Sequence, residues 1–392
     1  MSNYSAEIFS ENFLELIQEL GPVDSKTDVL KLSTKLRSTG LSPDTVTNAI
    51  SQARLRHRAI TKFGEEQAST MLFTEPGLEQ ASRLDVSNWH AKKFAGAGIS
   101  SVTDLGCGIG ADAMAFASSG IAVTAVEVDP ETAAIARFNL KGFSGASVIE
   151  AAAEEAPIVT DGYFLDPARR KLDRKGANRV MLSPEDFSPS LDFAFDLGGK
   201  FPTAVKLSGS FPHELIPESC EANWVSHNNE LVETILFFGS LGQPGKRAAV
   251  LLEKETLEFS GSDAPADISE LGNFIYDPNP ALVRSHLIGD FAREHGLTGI
   301  AKSIAFLSSN TALNSPWLRG FQVLEVLSMD PKKISKRLQE LAIGVLEIKK
   351  RGVDTTPEEL RKKLKLKGSS AATLILTKVG DARKAILCQP IS

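Results

Sequence analysis

Apolar positions along the chain change period several times, and each change predicts a different element. Phe9, Phe13, Leu16, Ile17 and Leu20 share one face at 3.6-residue spacing, which predicts a helix. Ser42-Pro43-Asp44 opens a second helical run through "TVTNAISQARLRHRAITKFG". Residues 1–73 therefore read as a helical region. A further helical stretch, Thr74 to Ala97, leads into "GISSVTDLGCGIG", a short strand ending in a glycine turn. From there the rhythm is regular. "ADAMAFASSG" reads as a helix and "IAVTAVEVD" as a strand. "PETAAIARFNLKGF" is a helix with Pro130 at its first position and Asp129 as its cap. "ASVIEAAA", "DGYFLDPARR" and "TAVKLS" follow as strands. Strands alternating with helices predict a parallel sheet covered on both faces.

The pattern then turns antiparallel. "ANWVSHNNELVETILFFG" is two apolar runs around Asn228-Asn229, a hairpin, and "KRAAVLLEK" adds a strand. A polar, glycine-rich stretch follows, and a linker is expected over 259–268. Beyond it, "LGNFIYDPNPALVRSHLIGDFAREHG" reads as turn then helix. "RGFQVLEVLS" and "VLEIKKRG" read as strands, "PKKISKRLQELAIG" and "TPEELRKKLKL" as helices, and a strand pair closes the chain. The expected organisation is a helical region (1–73), an α/β domain (74–258), the linker, and a separate α/β unit (269–392).

The glycine turn carries the first chemistry. Gly106, Gly108 and Gly110 let the backbone approach a ligand closely and aim a helix N-terminus at it. A dinucleotide fingerprint would read Gly-x-Gly-x-x-Gly and receive a pyrophosphate. Here the glycines alternate, and Asp104 stands two residues before the first. A carboxylate there repels a pyrophosphate and suits an ammonium or amide group, which disfavours a nicotinamide-dependent dehydrogenase. Glu127 closes the second strand, where a carboxylate can take both hydroxyls of a ribose. A ribose, a positively charged amino-acid end and no phosphate describe S-adenosylmethionine.

"DLGCGIGAD" with "VTAVEVD" resembles the first two motifs of class I S-adenosylmethionine-dependent methyltransferases, and the similarity runs over roughly residues 75–255. The resemblance implies a Rossmann-like sheet with an antiparallel edge hairpin and S-adenosylmethionine as cofactor. It implies contacts from Asp104, Gly106, Gly108, Gly110 and Glu127. Such enzymes place an acid or amide after the third strand, near the adenine. Ala152 or Ala153 stands at that place here, leaving the role to Glu154 or to a backbone group. Upstream helices of the family close over the methionine end, which implicates Gln80.

"YFLDPARR" resembles the Asp/Asn-Pro-Pro-Tyr and Asp-Pro-Pro-Arg motifs of nucleic-acid and protein methyltransferases. It marks Asp166 and Pro167 as the catalytic pair, with Asp166 orienting the acceptor for direct displacement. Arg169 stands where amino-group methylases often carry an aromatic, and an arginine there binds phosphate or stacks more weakly; Arg170 beside it is a further substrate-binding candidate. Lys206 and Ser208 follow the fifth strand and are candidates for the substrate mouth. A pyrimidine C5 methylase needs a cysteine nucleophile. Cys107 lies in the cofactor turn, Cys388 is near the C-terminus, and Cys220 lacks the expected flanking pattern. Transfer to nitrogen or oxygen is expected instead.

Composition narrows the partners. Three scattered cysteines and six histidines without a metal-spaced pair predict neither disulfides nor a bound metal. No run of eighteen apolar residues and no basic leader is present, so no membrane span and a cytoplasmic location are expected. The net charge of −6 is unevenly spread: Pro331–Lys367 holds twelve bases against five acids, +7, leaving −13 elsewhere. That basic module, which includes Lys349, Lys350 and Arg351, points to a polyanion. From about residue 319 the chain resembles the THUMP-like domain that follows the methyltransferase domain of certain bacterial proteins. True THUMP domains bind RNA, so the resemblance implies an RNA substrate, tRNA or rRNA. The expected function is methylation of an RNA nitrogen or oxygen. The alternatives are a methyltransferase for a protein or small molecule, and a nonenzymatic RNA-binding protein.

Overall fold

The computed structural model describes residues 6–24, 26–169 and 187–391. These divide into two compact units, one comprising the chain up to 207 with 213–221 and 235–245, the other comprising 208–212, 222–234 and the chain from 246 onward.

The first unit begins with five helices: α1 (Glu11–Leu20), α2 (Val29–Arg37), α3 (Pro43–Thr70), α4 (Glu75–Gln80) and α5 (Leu84–Gly96). Four of them start where a short polar side chain accepts the N–H three residues on, Ser10 from Phe13, Asp28 from Lys31, Ser42 from Thr45 and Thr74 from Gly77. α3 runs past the predicted stretch because Gly64, at φ +75°, lets two helical halves join across a kink.

The sheet of this unit contains the parallel strands β1 (Ser101–Leu105), β2 (Ala122–Glu127), β3 (Ala146–Glu150), β4 (Gly162–Leu165) and β7 (Thr203–Leu207). The helices α6 (Ala111–Ser118), α7 (Pro130–Leu140) and α8 (Leu191–Gly198) alternate with them, and the two-residue strands β5 (Ala168–Arg169) and β6 (Phe187–Ser188) pair with each other. The strand order is β7-β4-β1-β2-β3, and residues 235–238 of β9 (Glu230–Phe238) lie beyond β7. β1 has β2 on one side and β4 on the other, so the winding reverses at β1. That reversal opens a crevice at the strand C-terminal ends, the usual ligand position in such sheets. Phe94, Phe116 and Phe164 fill the core beneath it edge to face, with centroids 4.9 and 5.5 Å apart.

In the second unit, residues 222–227 of β8 (Glu221–His227) and residues 230–234 of β9 form the predicted hairpin. Asn228 and Asn229 make its turn at φ +50° and +60°, the left-handed region that asparagine tolerates. β10 (Arg247–Leu252) lies parallel to β8, and β11 (Thr256–Gly261) antiparallel to β10. β11 takes the first three residues of the expected linker. The Phe259 ring packs on Phe291 at 5.2 Å, and this burial outweighs the turn-like composition around it.

A seven-stranded sheet follows, in the order β13 (Thr298–Gly299), β14 (Leu307–Ser309), β12 (Phe274–Pro278), β15 (Leu318–Ser328), β18 (Ala382–Pro390), β17 (Ser370–Val379), β16 (Ile343–Lys350). β12 occupies part of the stretch read as a turn. Its Ile275 and Tyr276 are fully buried between two neighbouring strands, a setting that local composition does not reveal. The single helix expected after it is two, α9 (Pro280–Arg284) and α10 (Ile288–Glu294). α11 (Pro331–Glu340) and α12 (Pro357–Lys363) cover one face of the sheet, where Ile334, Leu338, Leu360 and Leu364 join Leu346, Leu374 and Leu387 in one core. Among the described residues no helix is long and apolar enough to cross a membrane.

Candidate functional site

A cavity of about 610 Å³ opens at the C-terminal ends of β1, β2 and β4. Its floor is the glycine loop. Gly106, Gly108 and Gly110 have φ of +93°, +55° and +86°, where side-chain-bearing residues are strained. A Cβ on Gly106 or Gly108 would meet no atom within 4 Å, so both face open space. The loop is tied to β2 from two directions. The Gly106 and Cys107 N–H groups both donate to the Val126 carbonyl at 2.9 Å. Glu127 accepts from the Gly108 N–H at 3.0 Å and the Asp129 N–H at 2.9 Å. Glu127 is thus a brace of the loop as well as a wall of the cavity.

Asp104, at the end of β1, is 1% exposed, and neither carboxylate oxygen has a hydrogen-bond partner among the described groups. Burial, reinforced by the charges of Asp112, Asp166 and Glu127 and opposed by Lys206, holds its carboxyl well above the ordinary range. Asp112, on the first turn of α6, shows the opposite balance. Burial raises it, but hydrogen bonds from His90 Nδ1 and Ser82 Oγ, both 2.8 Å, together with the Lys206 charge, bring it below the ordinary value. Two neighbouring buried acids are therefore driven apart, one toward the neutral form and one toward the anion.

The roof is α4. It is reached through the extended segment 71–73, which is held by two buried amides in place of a neighbouring strand. Gln52 on α3 donates to the Phe73 carbonyl at 2.7 Å and accepts its N–H at 3.1 Å. Asn139 on α7 accepts the Leu72 N–H at 2.9 Å and donates to the Leu72 and Ile109 carbonyls at 3.0 and 2.9 Å. Lys62 closes the far end of α4 by donating to the carbonyls of Leu78, Glu79 and Ala81 at 2.7–2.8 Å. Burial, with the Lys206 and Arg83 charges, pushes its pKa down to about 8. Thr74, Pro76, Gly77 and Gln80 are thereby set on the cavity wall. Gly77 packs so closely that a Cβ would collide with the Ile109 side chain. Sequence reasoning singled out Gln80 but not Gln52, Lys62, His90, Asp112 or Asn139. Their roles depend on partners distant in the chain.

Ala151, Ala152, Ala153 and Glu154 line the side beyond β3, Glu154 exposed at the rim. Val128, 65% exposed and next to Glu127, supplies an apolar wall that the sequence did not flag. On the opposite side Asp166 ends β4 and ion-pairs with Lys206 of β7. The predicted acceptor-orienting acid and the predicted substrate-mouth lysine are partners. Pro167 is buried, Arg169 continues the backbone into β5, and Arg170 lies outside the described residues.

The basic C-terminal positions divide. Lys349 and Arg351 each reach Asp277, at 2.8 Å, and are engaged inside their own unit, while Lys350 is exposed. Lys332, Lys333 and Lys336 of α11 and Lys362 and Lys363 of α12 are exposed. The three cysteines are buried; burial raises Cys107 further above the ordinary thiol value and pushes Cys220 and Cys388 up to about 12. None is poised as a thiolate nucleophile.

A family model described as THUMP domain-like matches residues 318–390, and one described as a domain of unknown function (DUF8688) matches residues 14–59. A solved structure from Porphyromonas gingivalis W83, described as that of a putative methyltransferase, shares the fold. It has a TM-score of 0.77 at 21% identity, covering 98% of this chain and 99% of that one. Two curated relatives from Mycobacterium tuberculosis (strains CDC 1551 / Oshkosh and ATCC 25618 / H37Rv) are both named uncharacterized S-adenosylmethionine-dependent methyltransferases. Each is 31% identical over 352 residues, 86% of this chain and 95% of its own length. With that extent of identity, and a glycine loop, Glu127 and the buried Asp104 gathered around one cavity, the chain belongs to the S-adenosylmethionine-dependent methyltransferases.

Proposed function

We propose that this methyltransferase acts on RNA, at a nitrogen or an oxygen, and that its C-terminal unit helps to hold the substrate. The observation that carries the RNA reading is the basic outer surface of α11 and α12 on the THUMP-like sheet, where Lys332, Lys333, Lys336, Lys362 and Lys363 are exposed. Such a surface attracts a phosphate backbone without reading base sequence.

The residues present fit the cofactor. Asp104, buried with both oxygens open, matches an ammonium group. Glu127 has lone pairs beyond those taken by Gly108 and Asp129 with which to receive ribose hydroxyls. Val128 and Ala152 offer apolar surface for a base, with Glu154 at its edge. When bound, S-adenosylmethionine supplies an electrophilic methyl group. The protein's task is to place an acceptor lone pair in line with it. The role of accepting a hydrogen bond from the acceptor falls in this reading to Asp166, which lines the cavity and ion-pairs with Lys206. Pro167 stiffens the turn that carries it.

The test is mass spectrometry of nucleosides from cells with and without the gene, alongside transfer of labelled methyl to RNA from the deletion strain. The expected result is one methylated nucleoside missing in the deletion and restored by wild-type protein but not by Asp166→Ala. Label appearing in protein or small molecules, with RNA unlabelled, refutes the RNA reading.

A further inference from the structure

We propose that the cleft between α2 and α3 is a phosphate-binding subsite that holds the acceptor beside the cofactor cavity. The nucleic-acid source of that phosphate rests on the RNA reading above; the anion site does not.

The cleft is a cavity of about 820 Å³ within the first unit. Arg54, His57 and Arg58 line it from α3, at the i, i+3, i+4 spacing that puts three side chains on one helix face. Ser33 of α2 and Ser51 of α3 add hydroxyls to the wall, while the Thr47 hydroxyl already donates to the Pro43 carbonyl at 2.8 Å. Two guanidinium forks, an imidazole and hydroxyl donors are the set that recognises phosphate oxygens. The His57 Nδ1 is buried and has no partner among the described groups. Arg54 is exposed and makes no ion pair among the described residues.

The cleft wall carries two guanidinium groups, Arg54 and Arg58, and two carboxylates, Asp24 and Glu75. The two acids on the cleft wall, Asp24 and Glu75, are already engaged. Asp24 accepts from the Thr27 hydroxyl at 2.8 Å and the Lys26 N–H at 3.0 Å. Glu75 pairs with Arg58, which Glu79 also reaches at 3.7 Å; all three side chains are about half exposed, and such exposed pairs carry little energy for a phosphate to displace.

Position links the cleft to methyl transfer. Glu75 lines the cleft, while Thr74, Pro76 and Gly77, its immediate neighbours, line the cofactor cavity. α4 is thus a shared wall one helix thick. A phosphate held in the cleft is therefore separated from the cofactor cavity by α4 alone.

Two measurements on the full-length protein test this. The first is fluorescence anisotropy of a labelled hairpin RNA over a salt series, comparing wild type, Arg54→Ala/Arg58→Ala and Lys362→Ala/Lys363→Ala. The arginine pair is expected to weaken binding and lower the slope of log affinity against log salt by about two, roughly one per phosphate contact. The second follows the His57 ring resonances, assigned by their loss in His57→Gln, during titration with inorganic phosphate. A saturable shift is expected in wild type and none in the arginine variant. Circular dichroism and S-adenosylhomocysteine affinity should match wild type in every variant. An unmoved His57, or RNA bound with the full salt slope by the arginine variant, overturns the subsite. If phosphate saturates His57 but wild type binds no RNA, the RNA reading falls and the anion site stands.

Discussion

Replacing Asn139 by alanine should cost more than its position on a helix suggests. The side chain is 8% exposed and makes three hydrogen bonds to backbone groups at 2.9–3.0 Å. Alanine removes all three and leaves the Leu72 N–H, a donor with a single hydrogen, without its partner. A net value of about 1 kcal/mol per hydrogen bond gives a loss of about 3 kcal/mol, before any added penalty for the stranded groups. Most substitutions away from such features stay within about 0.5 kcal/mol. The damage should not be confined to stability. Ile109 belongs to the glycine loop, and Leu72 precedes the roof helix, so the variant should also bind S-adenosylhomocysteine more weakly, by roughly tenfold, about 1.4 kcal/mol. Urea unfolding and calorimetry measure the two effects separately. Asn139→Asp keeps the acceptor but loses both donors and buries a charge, and should be at least as unstable. A loss below 1 kcal/mol with unchanged affinity would show that packing and the Gln52 hydrogen bonds fix the segment without Asn139, and the reasoning fails.

Asp104→Asn should weaken S-adenosylhomocysteine binding yet stabilise the ligand-free protein. An acid whose folded pKa lies above its unfolded value makes stability fall as pH rises from about 3.8 through the folded value, so the variant's advantage should grow across that window; melting curves from pH 5 to 8 that stay parallel would contradict this. The three buried thiols should resist a disulfide exchange reagent in native protein at pH 8 and react fully in urea, with rapid native labelling of Cys220 counting against its burial. Gly77→Ala should cost about 1–3 kcal/mol by overpacking against Ile109, and Ile109→Ala should relieve that clash; if the double variant shows no coupling, the two residues do not meet as described.

What the sequence made legible was local. Alternating glycines after a strand, an acid two residues before them and another at the end of the next strand mark residues that line the cavity at the strand ends, without reference to distant residues. The Asn228-Asn229 turn is equally local, since its backbone conformation is set by two adjacent side chains. What stayed hidden depends on pairing across the chain. Gln52 and Asn139 look like surface amides on helical stretches, and only the fold brings both to segment 71–73. Asp166 and Lys206 were each noticed, but their pairing requires β4 and β7 to be neighbours. Lys349 and Arg351 looked like free charge because Asp277, which engages them, lies seventy-odd residues earlier in a strand disguised by Asn and Pro.

The order of the seven-stranded sheet bears on how the C-terminal unit reaches its final form. β18 lies between β15 and β17 and pairs antiparallel with both, so β15 waits for a strand more than fifty residues downstream before that edge is closed. Until then an eleven-residue strand offers a bare edge, flanked by the apolar side chains of Leu324 and Val326. Such an edge is a template for intermolecular pairing. Refolding yield should therefore depend steeply on protein concentration, and a lysine at Leu324 or Val326, both solvent-facing in the finished sheet, is the natural way to guard the edge while it waits.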